Sequence, residues 1–433
     1  MSEPVEVQGL RTHPLTGLVQ GALWAAAASF ALISSIFSGD GWGSMSVLLS
    51  LAIAVGGGLV IGVCLGYLRW LFTRYVIDGT ELRINTGFIT KASRRIPFER
   101  IQSVDIAEPL VARIFGLAEL RIEMAGGKNS RTSLRFLTQE DASALRLVLL
   151  NKAHGKEEAA PPEQRSVITT VPPERIVIGT LLSLDFLFAA VGATAAIVLG
   201  IWFDAVVAVF GGLLSLGSWV FRIIGKRLIQ QWNFTLSRGD RGLRIERGLL
   251  SRTSQTIPYD RVQGIAVKEP FVWRRLGWQR LEVDVAGYAS QGGDEDGTNS
   301  SSTLLPISDR PLADAVMAEL LPGADSLIEA RTYASPRSWI FAPIGYRYRW
   351  VSANAQTFVA SEGWIERTIS IVPHHKTQSV ELKQGPLQRW RRVATVEVHT
   401  PKGPVDADGR HLDAADARGV LLAQLDRARA ARS

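Results

Sequence analysis

Apolar residues along this chain fall into two patterns: long unbroken blocks, and short runs in which every second position is apolar. Four blocks stand out, at Leu18–Phe37, Met45–Leu68, Ile176–Phe203 and Ala205–Ile224. Each is at least about as long as an α-helix must be to cross a hydrocarbon core of roughly 30 Å. Only short polar turns separate the two members of each pair, "SGDGWGS" in the first, so the pattern predicts four transmembrane helices arranged as two hairpins. A cleaved secretory signal is the competing reading of the first block. It lacks a clear small-residue cleavage site, and a second apolar block follows at once.

Outside the blocks the period drops to two, as half-buried strands require. "TELRINTGFI", "GLRIERGLL" and "QTFVASEGWI" alternate and are broken by a glycine at an expected hairpin turn. Each leads into a variant of one phrase: "IPFERIQSV" at Ile96–Val104, "IPYDRVQGI" at Ile257–Ile265 and "VPHHKTQSV" at Val372–Val380. The register extends beyond the phrase. Gly87, Gly248 and Gly363 precede Pro97, Pro258 and Pro373 at one spacing, and Gln102, Gln263 and Gln378 follow those prolines at another. Matched offsets of this kind mark an internal repeat. Further alternating runs follow at "LAELRIEM", "WQRLEVDV" and "VATVEVHT", and each unit closes with a predicted helix: Thr138–Leu150, Ser308–Leu321 and Asp413–Ala430. Thr138 with Asp141 has capping-box spacing, and Ser308 with Pro311 gives a cap near a first-turn proline.

Composition narrows the setting. The chain has 433 residues, 46% of them hydrophobic, and a formal charge of +7. Its single cysteine, Cys64, excludes an intramolecular disulfide and any multi-cysteine metal site. The basic residues gather at block ends: Arg11, Arg69, Arg74, Arg165, Arg175, Arg222, Lys226 and Arg227. The two outer turns carry only Asp40 and Asp204. That asymmetry predicts a multi-pass protein of the cytoplasmic membrane with its termini and large domains in the cytoplasm, and Trp42, Trp70 and Trp202 lie near span ends. It also accounts for much of the positive charge without nucleic acid.

The expected organisation is a tail and first hairpin over 1–72, a repeat unit over 73–152, a linker over 153–175, a second hairpin over 176–226, a second unit over 227–322, a linker suited to the membrane surface over 323–346, and a diverged third unit over 347–433. In the third unit "HHK" replaces "FER", Arg392 stands where Gly116 and Gly277 stand, and "SWIFAPIGY" is too short to span. "GYASQGGDEDGTNSSST" in the second unit reads as a mobile loop.

The phrase "IPFERIQSV", with "NTGFITK" before it, "EPLVARIFGLAELRIEMAGG" after it, "RTHPLT" ahead of the first block and the paired blocks themselves, resembles the bacterial pleckstrin-homology-like membrane proteins of the YdbS/YdbT-like group. The resemblance implies a PH-like barrel for each unit, membrane association and no established enzymatic activity. The fold class expected is therefore four transmembrane helices plus three mainly-β PH-like domains, each closed by a C-terminal α-helix.

Candidate chemistry is sparse. The repeated Gly, Pro and Gln positions read as structural, holding turns and satisfying backbone groups. His374 and His375 are adjacent and would point to opposite faces of a strand, so they do not chelate together. His399 and His411 could join one of them in a metal site, but the reading taken is solvent-facing histidines in a diverged repeat, and no HExxH, GxSxG or P-loop pattern occurs. No catalytic residue, cofactor or metal is expected. Asp185, a carboxylate inside an apolar block, is the one intramembrane polar candidate for a functional role. Gly58, Gly62 and Gly66 form a small-residue face for helix packing. Lys91, Arg94, Arg95 and Arg113, with Arg274, Arg275, Arg389 and Arg391 at corresponding loops, are candidates to meet anionic headgroups. The function expected is a non-enzymatic membrane protein that presents its domains as a binding or assembly platform. Its partners would be the bilayer and either another protein or further copies of itself, with no nucleic acid. The alternatives are a transport component using Asp185 and an anionic-lipid sensor.

Overall fold

The recurring phrase is a corner. In each repeat its proline ends one strand, the next three residues make a single 3-10 turn, and the rest opens a strand of a different sheet. Pro97, Pro258 and Pro373 all have φ near −65°, the value the pyrrolidine ring imposes. The computed structural model describes residues 74–432 apart from 87–91, 125–130, 154–165, 204–205, 240–241, 287–302, 323–329, 402 and 404, together with scattered positions between 56 and 72. The first predicted hairpin lies almost wholly outside the described residues, as do Gly58, Gly62, Gly66, Gly87, Lys91 and the Gly/Ser-rich stretch. The chain divides into two compact units, 1–162 with 250–255, and 163–249 with 256–433.

The first unit holds one repeat. Strands β1 (Arg74–Ile77), β2 (Glu81–Thr86) and β3 (Ala92–Pro97) form an antiparallel sheet. After the turn Phe98–Arg100 come β4 (Ile101–Glu108), a short helix α1 (Leu110–Ile114), β5 (Leu117–Met124) and β6 (Arg131–Thr138). The closing helix α2 (Gln139–Ala153) follows. Leu82, Ile84 and Ile96 from the first sheet share one core with Val104, Leu120, Ile122 and Leu134 from the second and with Leu145 and Leu149 of α2. The Thr138 hydroxyl accepts from the Asp141 backbone N–H at 3.1 Å and donates to the Asp141 carboxylate at 2.7 Å, so the predicted capping pair starts this helix. On the outer edge of β4, Ile106, Ala107 and Glu108 pair antiparallel with Ser254, Thr253 and Arg252.

The second unit opens with β7 (Ser166–Thr170), inside what hydropathy marked as a linker, and three helices: α3 (Pro173–Leu181), α4 (Leu184–Trp202) and α5 (Val206–Gln231). Strands β8 (Thr235–Gly239), β9 (Gly242–Arg247) and β10 (Arg252–Pro258) lead to the turn Tyr259–Arg261 and β11 (Val262–Pro270). Then come α6 (Phe271–Arg275), β12 (Trp278–Val285), β13 (Thr303–Asp309) and closing helix α7 (Arg310–Leu320). The helix begins at Asp309, not at Ser308; the Ser308 hydroxyl is buried and donates to the Gln279 carbonyl. The third repeat follows as β14 (Thr332–Tyr333), β15 (Trp350–Ala353), β16 (Thr357–Glu362), β17 (Glu366–Pro373), the turn His374–Lys376, β18 (Ser379–Lys383), α8 (Pro386–Arg391), β19 (Val393–His399), β20 (Ala407–Asp413) and α9 (Ala414–Ala430).

Seven strands of this unit make one continuous sheet, in the order β13-β12-β11-β17-β16-β15-β14. Its two faces serve different cores. Ile265, Val267 and Ile371 belong to the second repeat's core, whereas Ala266, Phe358 and Val372 belong to the third's. Side chains alternate across a strand, so one strand pair supplies both. Glu269 at the joint accepts from Arg367 and is also bridged by Arg310.

The residue after the proline meets the closing helix in the first two repeats and a hairpin-turn carbonyl in the third. Lys152 of α2 sits 5.3 Å over the Phe98 ring, the Tyr259 hydroxyl donates to Glu319 of α7 at 2.8 Å, and His374 is buried with its Nε2 at 3.0 Å from the Asn354 carbonyl.

The fold class read from hydropathy needs correction. Among the described residues one helix, α4, is long and apolar enough to cross a membrane, and the repeats are β-rich domains; the four-span arrangement does not stand. The third apolar block is not one span. It breaks at Ser183, which caps α4 by accepting from the Phe186 N–H, and its first part is docked on protein. Ile176 and Thr180 of α3 are buried, the Trp273 indole donates to the Gly179 carbonyl at 3.2 Å, and a Cβ on Gly179 would lie 2.1 Å from Ile307 Cδ1. Hydropathy counts barrel-facing apolar residues and lipid-facing ones alike.

Candidate membrane-contact site

The connection between the fourth and fifth strand of each repeat has the same construction. A proline or glycine starts a helix of five or six residues, and one residue in the left-handed region ends it: Gly116 at φ 67°, Gly277 at φ 72° and Arg392 at φ 57°. Glycine adopts that conformation without a Cβ penalty, whereas Arg392 adopts it at a cost. The predicted glycine-to-arginine departure therefore changed the residue but not the backbone. Gly248 and Gly363 also have positive φ, at the hairpins before the corner.

These short helices point large apolar side chains at solvent. On α1, Ile114 is 71% exposed, and Leu110 and Phe115 are exposed as well. At α6 the exposed residues are Phe271 and Leu276; at α8 they are Leu387 and Trp390, the latter 70% exposed. Arginines accompany them: Arg113 on α1, Arg274 and Arg275 on α6, Arg389 and Arg391 on α8. Arg275 stacks over Phe271 and Arg391 over Trp390, at 5.1 and 5.3 Å. Arg274 donates to the Trp364 carbonyl at 2.7 Å and Arg391 to that of Arg337 at 3.0 Å. Apolar rings beside cations are the chemistry of the headgroup boundary. Sequence alone found the arginines; the apolar partners look like ordinary core residues until the fold exposes them.

The other predicted candidates separate from this feature. Arg94 and Arg95 lie on β3, partly buried and exposed respectively. Gln263 is nearly buried and donates to the Arg261 carbonyl, and Gln102 and Gln263 sit where the strand register slips by one residue. The Gln378 N–H donates to the His399 carbonyl. The Gln263 side chain thus holds a backbone carbonyl. Asp185 lies in the first turn of α4, where a negative charge suits the helix dipole. Its carboxylate accepts from Arg227 of α5 at 2.6 Å, which joins the open ends of a helical hairpin and neutralises the charge. Arg227 in turn lies near the partly buried Arg280, whose guanidinium is held below its ordinary pKa first by desolvation and then by that neighbouring cation.

One further group has metal-ligand character. Oxygens of Glu381 and Glu397 and a nitrogen of His399 lie within 4.8 Å of one another. Lys383 already occupies the cluster, its ammonium 2.5 Å from Glu397, so the arrangement is an ion-pair cluster across β18 and β19. A shallow groove in the third repeat, lined by Tyr333, Arg337, Tyr346, Arg347, Asp413 and Asp416, is likewise internally compensated by an Arg337–Asp413 pair.

Three regions, 22–153, 177–324 and 326–429, match the profile of the Bacterial PH domain, which accounts for most of the chain. The chain belongs to the bacterial PH domain family. A curated member-like relative, the UPF0699 transmembrane protein YdbT of Bacillus subtilis (strain 168), is 26% identical over 287 residues, 59% of this chain and 57% of that protein. The match thus spans just over half the relative's length. The matched regions show that the corner phrase and closing helix recur because the bacterial PH domain itself is repeated.

Proposed function

We propose that this protein is a membrane-anchored, non-enzymatic platform. Its bacterial PH domains face the cytoplasm, and the short helices α1, α6 and α8 meet the lipid surface. The observation that carries the reading is the repetition of an exposed apolar tip beside arginine at one position of all three domains. The relative's description as a transmembrane protein supports the anchor. So does α4, with Phe188, Val191, Ile201 and Trp202 exposed along its length. Arg175 and Arg227, the latter paired with Asp185 in the first turn of α4, put positive charge at that end of the helix and favour the cytoplasmic side there.

The test is protection from a water-soluble maleimide, using full-length protein in vesicles with Cys64 replaced by serine and a single cysteine at Ile114, Leu276 or Trp390. Labelling at these sites should slow several-fold when phosphatidylglycerol replaces part of the phosphatidylcholine, and the protection should weaken in high salt. Equal labelling in both lipids at all three positions rules the reading out.

A further inference from the structure

The same strand pairing recurs from repeat to repeat, and among the described residues the first and third repeats each hold one half of it on an outer strand. In the first joint Ile106 of β4 faces Ser254; in the second Val267 of β11 faces Ile369 of β17. When the three prolines are superposed, Ile106 and Val267 are equivalent positions, and so are Ser254 and Ile369, so both joints have one register. Each also sets an acid against an arginine, Glu108 opposite Arg252 and Glu269 opposite Arg367. The third repeat's strand of the β4 and β11 type is β18, and the first repeat's strand of the β10 and β17 type is β3. Among the described residues both are outer strands of three-stranded sheets.

We infer that β18 of one molecule pairs antiparallel with β3 of a second copy of this chain, in the register that the internal joints use. That register sets Leu382 opposite Ser93, Lys383 opposite Ala92 and Glu381 opposite Arg94. The last pair decides the occupant. Glu381 stands where Ala266 stands in β11 and Asp105 in β4, and Arg94 stands where Ser370 stands in β17; the small pair at the second joint becomes a carboxylate and a guanidinium here.

The faces agree as well. Ala266 projects away from its own core toward the next, and Glu381, opposite Glu397 rather than beside Val396 and Val398, projects away from its own. Arg94 is opposite Ile84, on the core side of β3. In the joined sheet both side chains lie on one face, with Glu397 adding a second carboxylate. No like charges are set opposite each other. Charged residues on an open edge deter indiscriminate strand addition, and a complementary arginine makes the edge selective. The contact is head to tail, so it builds a ring or an open row, not a twofold dimer. This inference does not rest on the membrane-contact reading.

The experiment co-expresses two differently tagged full-length chains with Cys64 replaced by serine, one carrying Glu381→Cys and the other Arg94→Cys, and oxidises them mildly in membranes and again in detergent. A disulfide-linked species bearing both tags should exceed that from the staggered pair Leu382→Cys with Arg94→Cys by at least about tenfold. In otherwise unaltered chains, Glu381→Arg should reduce the oligomer seen by light scattering, and Glu381→Arg combined with Arg94→Glu should restore it, all with unchanged melting temperature. A link confined to single chains, equal linking of the staggered pair, no linking, or charge reversal without rescue each overturns the inference. Linking that persists in detergent without anionic lipid separates this result from the fate of the lipid reading.

Discussion

Strands β11 and β18 begin at the same corner of the same repeated domain and end in different situations. Strand β11 runs for nine residues and is hydrogen-bonded on both edges, to β12 and β17; β18 runs for five and, among the described residues, is bonded only to β19. The difference is carried by few side chains. Gly264 and Ala266 leave room for a neighbouring backbone and core, the ideal Cβ of Gly264 lying 3.0 Å from the Ile371 carbonyl, whereas Ser379 and Glu381 occupy those places in β18. Strand β4 carries Ser103 and Asp105 at the same places and still pairs with β10, so these side chains adjust how closely a neighbour packs on the edge.

Exchanging those residues gives the largest expected effect. Ala266→Glu places an unpaired carboxylate in the third repeat's core and should cost about 3–5 kcal/mol in urea unfolding, as isolated buried charges do. Glu381→Ala in the open strand should change folding stability by no more than about 0.5 kcal/mol. Equal costs at the two sites would show that edge residues do not set the difference.

The two repeats should also respond to pH in opposite senses. Asp284 on β12 is pushed up from 3.8 to about 7, by burial first and then by the charge of Asp406. The folded protein keeps that proton while the unfolded chain loses it, so this contribution is whole below about pH 4 and declines as pH rises toward 7. His411 on β20 is pushed down from 6.5 to about 4, by burial first and then by Arg349 and Arg410. Its ring stacks on Phe341 at 4.7 Å, and its Nδ1 accepts from Gln388, which suits a neutral imidazole. That contribution is whole above about pH 6.5 and declines as pH falls toward 4. Asp284→Asn should leave stability rising with pH between these limits, and His411→Asn should leave it falling, each by a few kcal/mol over the window in denaturation series. Asparagine also tolerates the left-handed backbone of His411.

The smallest effect compares the ends of α6 and α8. Arg392→Gly relieves a left-handed non-glycine residue and should stabilise the third repeat by roughly 0.5–1 kcal/mol, while Gly277→Arg should destabilise by a similar amount. Differential scanning calorimetry would read both, and no change in either would mean that the tip backbone relaxes freely.

Much of the local structure was legible because its causes are local. The Thr138–Asp141 cap, the glycines before the second and third corners and the closing helices depend on residues a few positions apart, and they appear within about three residues of where the pattern put them. Pairing depends on distant residues. β7 and β14 are too short and polar to declare themselves, and they exist because β8 and β15 offer them an edge. Which sheet each strand joins is likewise set across long separations, so three repeats were visible but the sheet shared by the second and third was not. Asp185 looked like a lone intramembrane charge because its partner Arg227 is far along the chain, though on the facing helix. The exposed tips escaped for the opposite reason: Ile114 and Trp390 obey the apolar pattern while serving no core.

Gly179 has a consequence for how sequences of this kind can diverge. The smallest side chain there would collide with Ile307 at 2.1 Å and crowd Trp273 at 3.1 Å. A lineage that keeps α3 seated on the second domain cannot explore that position alone. Alanine becomes admissible at 179 only alongside a shorter residue at 307, so the two sites should drift as a pair, and a family alignment with free variation at 179 over an unchanging isoleucine would contradict the docking.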